Sequence, residues 1–387
     1  MLRKINKKKV LLFAGIPVLF LFLIGSFLGN GSGIKYFATG SSVKGDSVEE
    51  KKEKIFVPTH IAVPEVVKGI YMTSCVASMP SWREKLVKIA DETEINSIII
   101  DIKDYTGTIS FKSDNSLLET GGKGCVVSDM AEFVDSLHKK NIYAIARITV
   151  FQDPYYTNKR PDMAIKKASD KTIWKDRKGL SFIDVGAKEY WDYIVALAEE
   201  SYTKIGFDEL NFDYIRFPSD GDMKNIYYTF SNDREKADVL KDFFSYLHDK
   251  LEGTGVIMSA DLFGMTTTNK DDLNIGQILE YAEPYFDYIA PMVYPSHYPS
   301  GFKNYKNVNA HPYEIVKFSM DEASKRLIAA SSTPDKLRPW LQDFDYPVTY
   351  TADMVRKQKQ AVYDAGLSSW MLWDPANKYT PEALDKE

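Results

Sequence analysis

Between Gly206 and Pro218 the chain places Asp208, Glu209, Asn211, Asp213 and Arg216 among Phe207, Leu210, Phe212, Tyr214, Ile215 and Phe217. A carboxylate in such apolar company costs several kcal/mol unless it is paired or hydrogen-bonded, so a segment that keeps this many marks a working site. Similar polar residues end other apolar runs: Asp101 and Lys103, Arg147, Ser259 and Asp261, Tyr294, Gln342 with Asp343, and Trp373 with Asp374. Two carboxyl groups beside aromatic side chains suit cleavage of glycosidic bonds. One, kept protonated, gives its proton to the leaving oxygen, and the other acts as nucleophile or base. Asp213 fits the ionised role if the Arg216 cation holds it charged, and a more desolvated Asp261 fits the acid. Asp101, Lys103, Arg147, Asn211, Arg216, Tyr294, Asp343 and Trp373 are the candidate substrate contacts, Trp373 as a floor for a sugar ring. Structural alternatives stand beside these roles: an ion pair of Asp213 with Arg216 or Arg147, a helix cap at Asp261, and a salt bridge between Asp101 and Lys103. Asp208 and Glu209 read as structural, because Asp208 has the opposite parity to Asp213 and Glu209 lies deeper along the strand.

Other chemistries find less support. The five histidines, His60, His138, His248, His297 and His311, form no i, i+4 pair, so no His-rich metal site is expected, and no cofactor is implied. There is no Gly-x-Ser-x-Gly elbow. A formal charge of −5, with Arg3, Lys4, Lys7, Lys8 and Lys9 all at the start, leaves the remainder acidic and offers nucleic acid no basic surface. The 24 Tyr, 21 Phe and 6 Trp fit sugar stacking and a thick core equally well.

The elements that must hold these residues alternate. Short β-rich runs occur at 67–73, 96–103, 142–150, 207–217, 256–263, 288–294, 338–344 and 369–374. Helical spacing separates several of them: Trp82, Leu86, Ile89 and Ala90; Met130, Phe133, Val134 and Leu137 behind a Ser128 cap; Val239, Leu240, Phe243, Phe244 and Leu247. Eight such alternations predict an α/β fold, a (β/α)8 TIM barrel, in which function gathers at the C-terminal ends of the strands. An open doubly wound sheet would want a Gly-rich phosphate turn, and Gly121-Gly122-Lys123-Gly124 lies in a long loop instead. Alternation puts Asn211 with Asp213, Ser259 with Asp261, Met292 with Tyr294, and Met371 with Trp373 on common faces. Long connections at 151–186 and 295–310 are expected to carry function.

Residues 10–28 form an uncharged apolar run of about 19 residues, long enough to span a bilayer. The basic stub at 1–9 predicts that the rest lies outside the cytoplasm, with an uncleaved anchor favoured over a cleaved signal and 29–54 as a flexible linker to a domain at 55–387. Cys75 and Cys125 fall in the loops after the first and second runs. They are conceivable as a disulfide, but are expected to be free thiols.

From about Val67 onward the chain resembles a bacterial family of domains of unknown function described as "putative glycoside hydrolases". The resemblance rests on Lys68-Gly69-Ile70-Tyr71, Ile100-Asp101-Ile102-Lys103-Asp104, Arg147-Ile148, Asp153-Pro154, Arg160-Pro161-Asp162, Trp174 to Gly179, Gly206 to Pro218, Ser259 to Gly264, Pro291 to Tyr298, and Trp373-Asp374. A more distant similarity is to family 18 glycoside hydrolases, whose fourth strand reads Asp-x-x-Asp-x-Asp-x-Glu; here Asp208, Asn211, Asp213 and Ile215 stand at those positions. Ile215 replaces the proton donor, so the acid must come from another strand, Asp261 first and Asp343 next. The resemblance implies a glycosidase-type barrel; taken with the basic stub and apolar run, the sequence reads as a membrane-anchored glycosidase acting outside the cytoplasm on a cell-envelope or environmental polysaccharide. The alternative is a carbohydrate-binding or envelope scaffold barrel without turnover.

Overall fold

The computed structural model describes residues 56–118 and 121–386. The expected cytoplasmic stub, membrane run and linker lie outside the described residues. No helix among the described residues is long and apolar enough to cross a membrane.

Eight parallel strands close into a barrel: β1 (Lys68–Met72), β2 (Ser97–Lys103), β3 (Tyr143–Thr149), β4 (Glu209–Asp213), β5 (Ile257–Phe263), β6 (Tyr288–Met292), β7 (Trp340–Gln342) and β8 (Trp370–Trp373). Each strand lies beside its sequence neighbours, and β8 returns to β1 through Lys68–Trp370, Gly69–Met371 and Ile70–Leu372. This is the (β/α)8 architecture predicted from the alternation. Gly69 is needed where the strands crowd: a Cβ there would come within 2.6 Å of the Ile99 side chain.

The helices take the faces their spacing predicts. Those that cross over between consecutive strands are α1 (Pro80–Glu92), α2 (Met130–His138), α3 (Lys188–Glu200), α4 (Lys236–Leu251), α5 (Leu279–Ala282), α6 (Pro312–Ala329) and α7 (Ala352–Asp364). Met130, Phe133, Val134 and Leu137 of α2 are buried, as are Val239, Leu240, Phe243, Phe244 and Leu247 of α4. At the start of α2 the cap is Asp129, not Ser128, and its carboxylate receives the Arg83 guanidinium. Strand β7 is only three residues long. Gln358 of α7 compensates by bonding the Gln342 backbone, accepting from its N–H at 2.9 Å and donating to its carbonyl at 2.7 Å.

Inward-facing side chains fill the barrel in layers. At the N-terminal end Glu209 accepts from Arg338 at 2.7 Å and from Tyr143 at 3.2 Å. Asp208, facing outward, accepts from the Ile61 and Ala144 amides at 2.8 and 2.9 Å and lies 3.0 Å from the His138 ring. Both are structural, as their parity and depth indicated. Above them Ile99, Ile145, Ala290, Trp340 and Met371 form the apolar middle, and the polar layer begins at Arg147.

The connection after β3 pairs with the one after β4 through a small antiparallel bridge of Lys166–Lys167 with Ile226–Tyr227, building a wall over the strand C-termini. Contrary to the expectation of free thiols, Cys75 and Cys125 are joined in a disulfide, with Cα atoms 4.9 Å apart. The loops after β1 and β2 emerge on one face of adjacent strands, which brings the pair within bonding reach.

Candidate active site

Arg147, at the C-terminal end of β3, sits under three carboxyl groups. Its Nη1 donates to Asp101 Oδ1 at 2.6 Å, its Nη2 meets Asp213 Oδ2, and its Nε lies 3.9 Å from Asp261 Oδ2. The register explains the convergence: Arg147 is level with Asp101 on β2 and with Asn211 on β4, and Asn211 is level with Ser259 on β5. All four strands therefore send inward-facing residues to one height.

One guanidinium cannot balance three buried carboxylates, so protons must stay. Burial pushes Asp261 well above the usual carboxylate range, and the nearby Asp213 charge pushes it further. Its Oδ1 accepts from Asn211 Nδ2 at 2.8 Å and Trp340 Nε1 at 2.7 Å. With that oxygen occupied by two donors, the proton belongs on Oδ2. Asp213 is held differently. Besides Arg147, its Oδ1 accepts from the Tyr214 amide at 2.5 Å. Tyr214 itself takes φ +51°, a left-handed conformation costing about 1–2 kcal/mol for a residue with a side chain, directly after the strand ends at Asp213. Asp101 rises to about 6 through burial, with Arg147 opposing, and Tyr71 donates its hydroxyl to Oδ2.

Aromatic rings close the floor. Tyr71 stacks on Trp373 with centroids 3.9 Å apart, Trp340 meets Trp373 edge-on at 5.5 Å, and Arg147 lies 4.9 Å from the Trp373 ring centre. Above the floor is a cavity of about 340 Å³, bordered by Asp213, Asp261, Tyr294, Met292, His297 and Trp373 among others. A second, of about 600 Å³, shares Arg147, Tyr214, Arg216 and Trp373 with it and takes in Asp101.

The structure thus brings Asp101, Arg147, Asp213, Arg216, Asp261, Tyr294 and Trp373 to one cleft. Asn211 supports Asp261 from beneath. Lys103 is not in the cleft: it is fully buried against Asp153 at 2.8 Å and donates to the Thr149 carbonyl at 2.7 Å. The β2–β3 register shifts between Asp101 and Lys103, which turns Lys103 away. Asp343 is also displaced, accepting from the Thr380 amide and hydroxyl at 2.9 and 2.7 Å in a separate depression, where burial pushes it up to about 6. Arg216 borders the cleft without acting as the cation for Asp213. It donates to the Phe217 carbonyl at 3.0 Å and lies over the Tyr214 and Phe263 rings, while Arg147 takes the Asp213 role. Tyr71, Trp340 and His297 were not among the sequence candidates. Tyr71 and Trp340 fall on the inward parity of their strands, a signal that would have found them. His297 lies in the long connection after β6.

Among the described residues no cluster of His, Cys, Asp and Glu has the arrangement of a metal site. The cleft's chemistry is that of its carboxyl groups: one oxygen placed to release a proton, a second carboxylate held by two donors, and a ring-sized aromatic floor.

Known proteins share this architecture. The glycoside hydrolase domain of PgaB (BpsB) from Bordetella bronchiseptica superposes with a TM-score of 0.59 at 12% identity, covering 83% of this chain and 99% of its own. The α-L-fucosidase isoenzyme 2 from Paenibacillus thiaminolyticus gives a TM-score of 0.54 at 10% identity over 82% of this chain and 47% of its own. At these identities the likeness is one of fold. A hypothetical protein from Ruminiclostridium thermocellum is 29% identical over 50% of this chain and 96% of its own, with a TM-score of 0.44. No curated protein matches the sequence. The sequence profile of the family described as "Putative glycosyl hydrolase domain" matches residues 69–379, from β1 through β8 and beyond. By that match, spanning every strand that builds the cleft, the chain belongs to the putative glycosyl hydrolase domain family.

Proposed function

We propose that the protein is a membrane-anchored glycoside hydrolase that works outside the cytoplasm on a cell-envelope or environmental polysaccharide, with Asp261 as the acid and Asp213 as the nucleophile or base. The observation that carries the assignment is the unequal treatment of two carboxyl groups around one guanidinium. In the reaction Asp261 Oδ2 gives its proton to the glycosidic oxygen as the bond to the anomeric carbon breaks. Asp213 either forms a bond to that carbon, to be displaced later by water, or removes a proton from the water that attacks it. Arg147 steadies the Asp213 carboxylate and balances charge as Asp261 becomes an anion. Trp373 supports the sugar face, and Tyr294 borders the same cavity.

The apolar run at 10–28 after a basic stub favours an external location, and the Cys75–Cys125 disulfide is in keeping with an oxidising compartment. The test is a glycan panel with product analysis, comparing the wild type with Asp213→Asn and Asp261→Asn. Turnover lost with glycan binding retained supports an enzyme. Binding with no wild-type turnover on any glycan would establish a carbohydrate-binding barrel instead.

A further inference from the structure

Among the described residues, three cavities along the C-terminal face share walls. The central one holds Asp213 and Asp261. On the β4 side it continues into the cavity of about 600 Å³ across Arg147, Tyr214, Arg216 and Trp373. On the β6 side it meets a third depression of about 870 Å³ at His297, between the loops after β7 and β8. Lys178, from the long connection after β3, borders both flanking cavities, and its charge acts on the His297 ring across the cleft, adding to burial in lowering the ring's proton affinity. Each cavity is of the size that holds a small ligand, about 300–1,000 Å³, so together they have room for several sugar rings. The outer parts carry exposed aromatic residues: Tyr105, 58% exposed, lines the second cavity, and Tyr346, 59% exposed, lines the third.

Charge narrows the ligand. Besides the protonated Asp261, the three linings together contain seven aspartates against four cations, Arg147, Lys178, Arg216 and Lys378. Arg147 is already engaged by Asp101 and Asp213. A polyanionic chain laid along the cleft would meet an excess of like charge.

From this we infer that the cleft takes the interior of a polysaccharide that carries no negative charge and cuts it internally, with the Tyr346 depression serving as a distal sugar subsite. The inference rests on the glycosidase reading. A site built for chain ends needs a wall beyond the scissile bond, whereas here the catalytic pair has a cavity on either side. Ring stacking on Tyr346 gives long substrates a contact that short ones do not reach.

The full chain is incubated with soluble uncharged polymers (hydroxyethyl cellulose, glycol chitin, mixed-linkage glucan, mannan) and with polygalacturonate, while viscosity and new reducing ends are followed together. Internal cleavage predicts an early fall in viscosity with few reducing ends, oligosaccharides of mixed length, and no preference for the polyanion. Release of mono- or disaccharides with viscosity falling only in proportion overturns the inference but leaves a glycosidase. Faster cleavage of polygalacturonate overturns the charge argument. No hydrolysis of any polymer defeats the glycosidase reading itself, and the inference with it. As a second measurement, Tyr346→Ala is expected to lower the ratio of kcat/KM for a hexasaccharide to that for a disaccharide by about two- to tenfold. An unchanged ratio removes the subsite.

Discussion

Replacing Asp261 with Asn separates chemistry from structure unusually well. Oδ1 of the substituted side chain still accepts from Asn211 at 2.8 Å and Trp340 at 2.7 Å, and the amide nitrogen takes the place of the protonated Oδ2. Asn is therefore close to an isostere of the neutral acid, and what it lacks is a transferable proton. Loss of a general acid costs about 10²–10⁴ in rate, or about 3–5 kcal/mol of barrier, when the leaving group is a sugar hydroxyl. A nitrophenolate leaving group needs no proton, so an aryl glycoside should lose far less. The pH profile changes as well. Wild-type activity should fall as pH rises through the elevated Asp261 value, because the acid form is consumed, and the variant should lack that limb. Stability should hold or rise at neutral pH, since burial disfavours the wild-type charge and Asn carries none. The assay is kcat/KM on a polysaccharide and on a nitrophenyl glycoside, from pH 4 to 9, beside thermal melting. Equal losses on both substrates with an unshifted basic limb would refute the assignment of Asp261 as acid.

Asp101 rises from 3.8 to about 6 on folding, so its neutral form is favoured in the native state. The associated stability is complete below pH ~4 and is lost as pH rises through about 6, a change of about 3 kcal/mol. The melting temperature of Asp101→Asn relative to wild type should accordingly be more favourable at pH 7.5 than at pH 4; a pH-independent difference would contradict it. On the same strand as Asp213, Glu209→Gln at the closed end of the barrel should destabilise by about 3–5 kcal/mol by stranding Arg338, yet leave kcat of the folded fraction intact. Denaturant melts with active-site titration decide that. Removing the Cys75–Cys125 link with Cys75→Ser/Cys125→Ser frees a loop with a sequence separation of 50 and should cost up to about 4 kcal/mol, read as a lower unfolding midpoint that reductant does not lower further.

The barrel was legible because each strand repeats the same local pattern, and the meeting of Asp213 and Asp261 in one cleft because parity carries both inward along regular strands. Where regularity ends, so did legibility. Lys103 follows a register shift in β2. Arg216 follows Tyr214 at φ +51°, which ends β4 at Asp213, four residues before the apolar run stops. Asp343 lies just past a strand of only three residues, and its carboxylate faces Thr380. Arg147 as the shared cation required the relative heights of β2, β3, β4 and β5, and the disulfide required a 4.9 Å Cα separation; one-dimensional spacing contains neither. Ile215, by contrast, stood in plain view: an apolar side chain at the last position of the motif turned the search for an acid to the other strands.

The most direct test of the two-carboxylate cleft is the rate at which the wild type and Asp213→Asn release reducing ends from a glycan that both bind. The account predicts wild-type turnover and a loss of at least about 10³-fold in the variant at comparable affinity. Undiminished release by Asp213→Asn would contradict it.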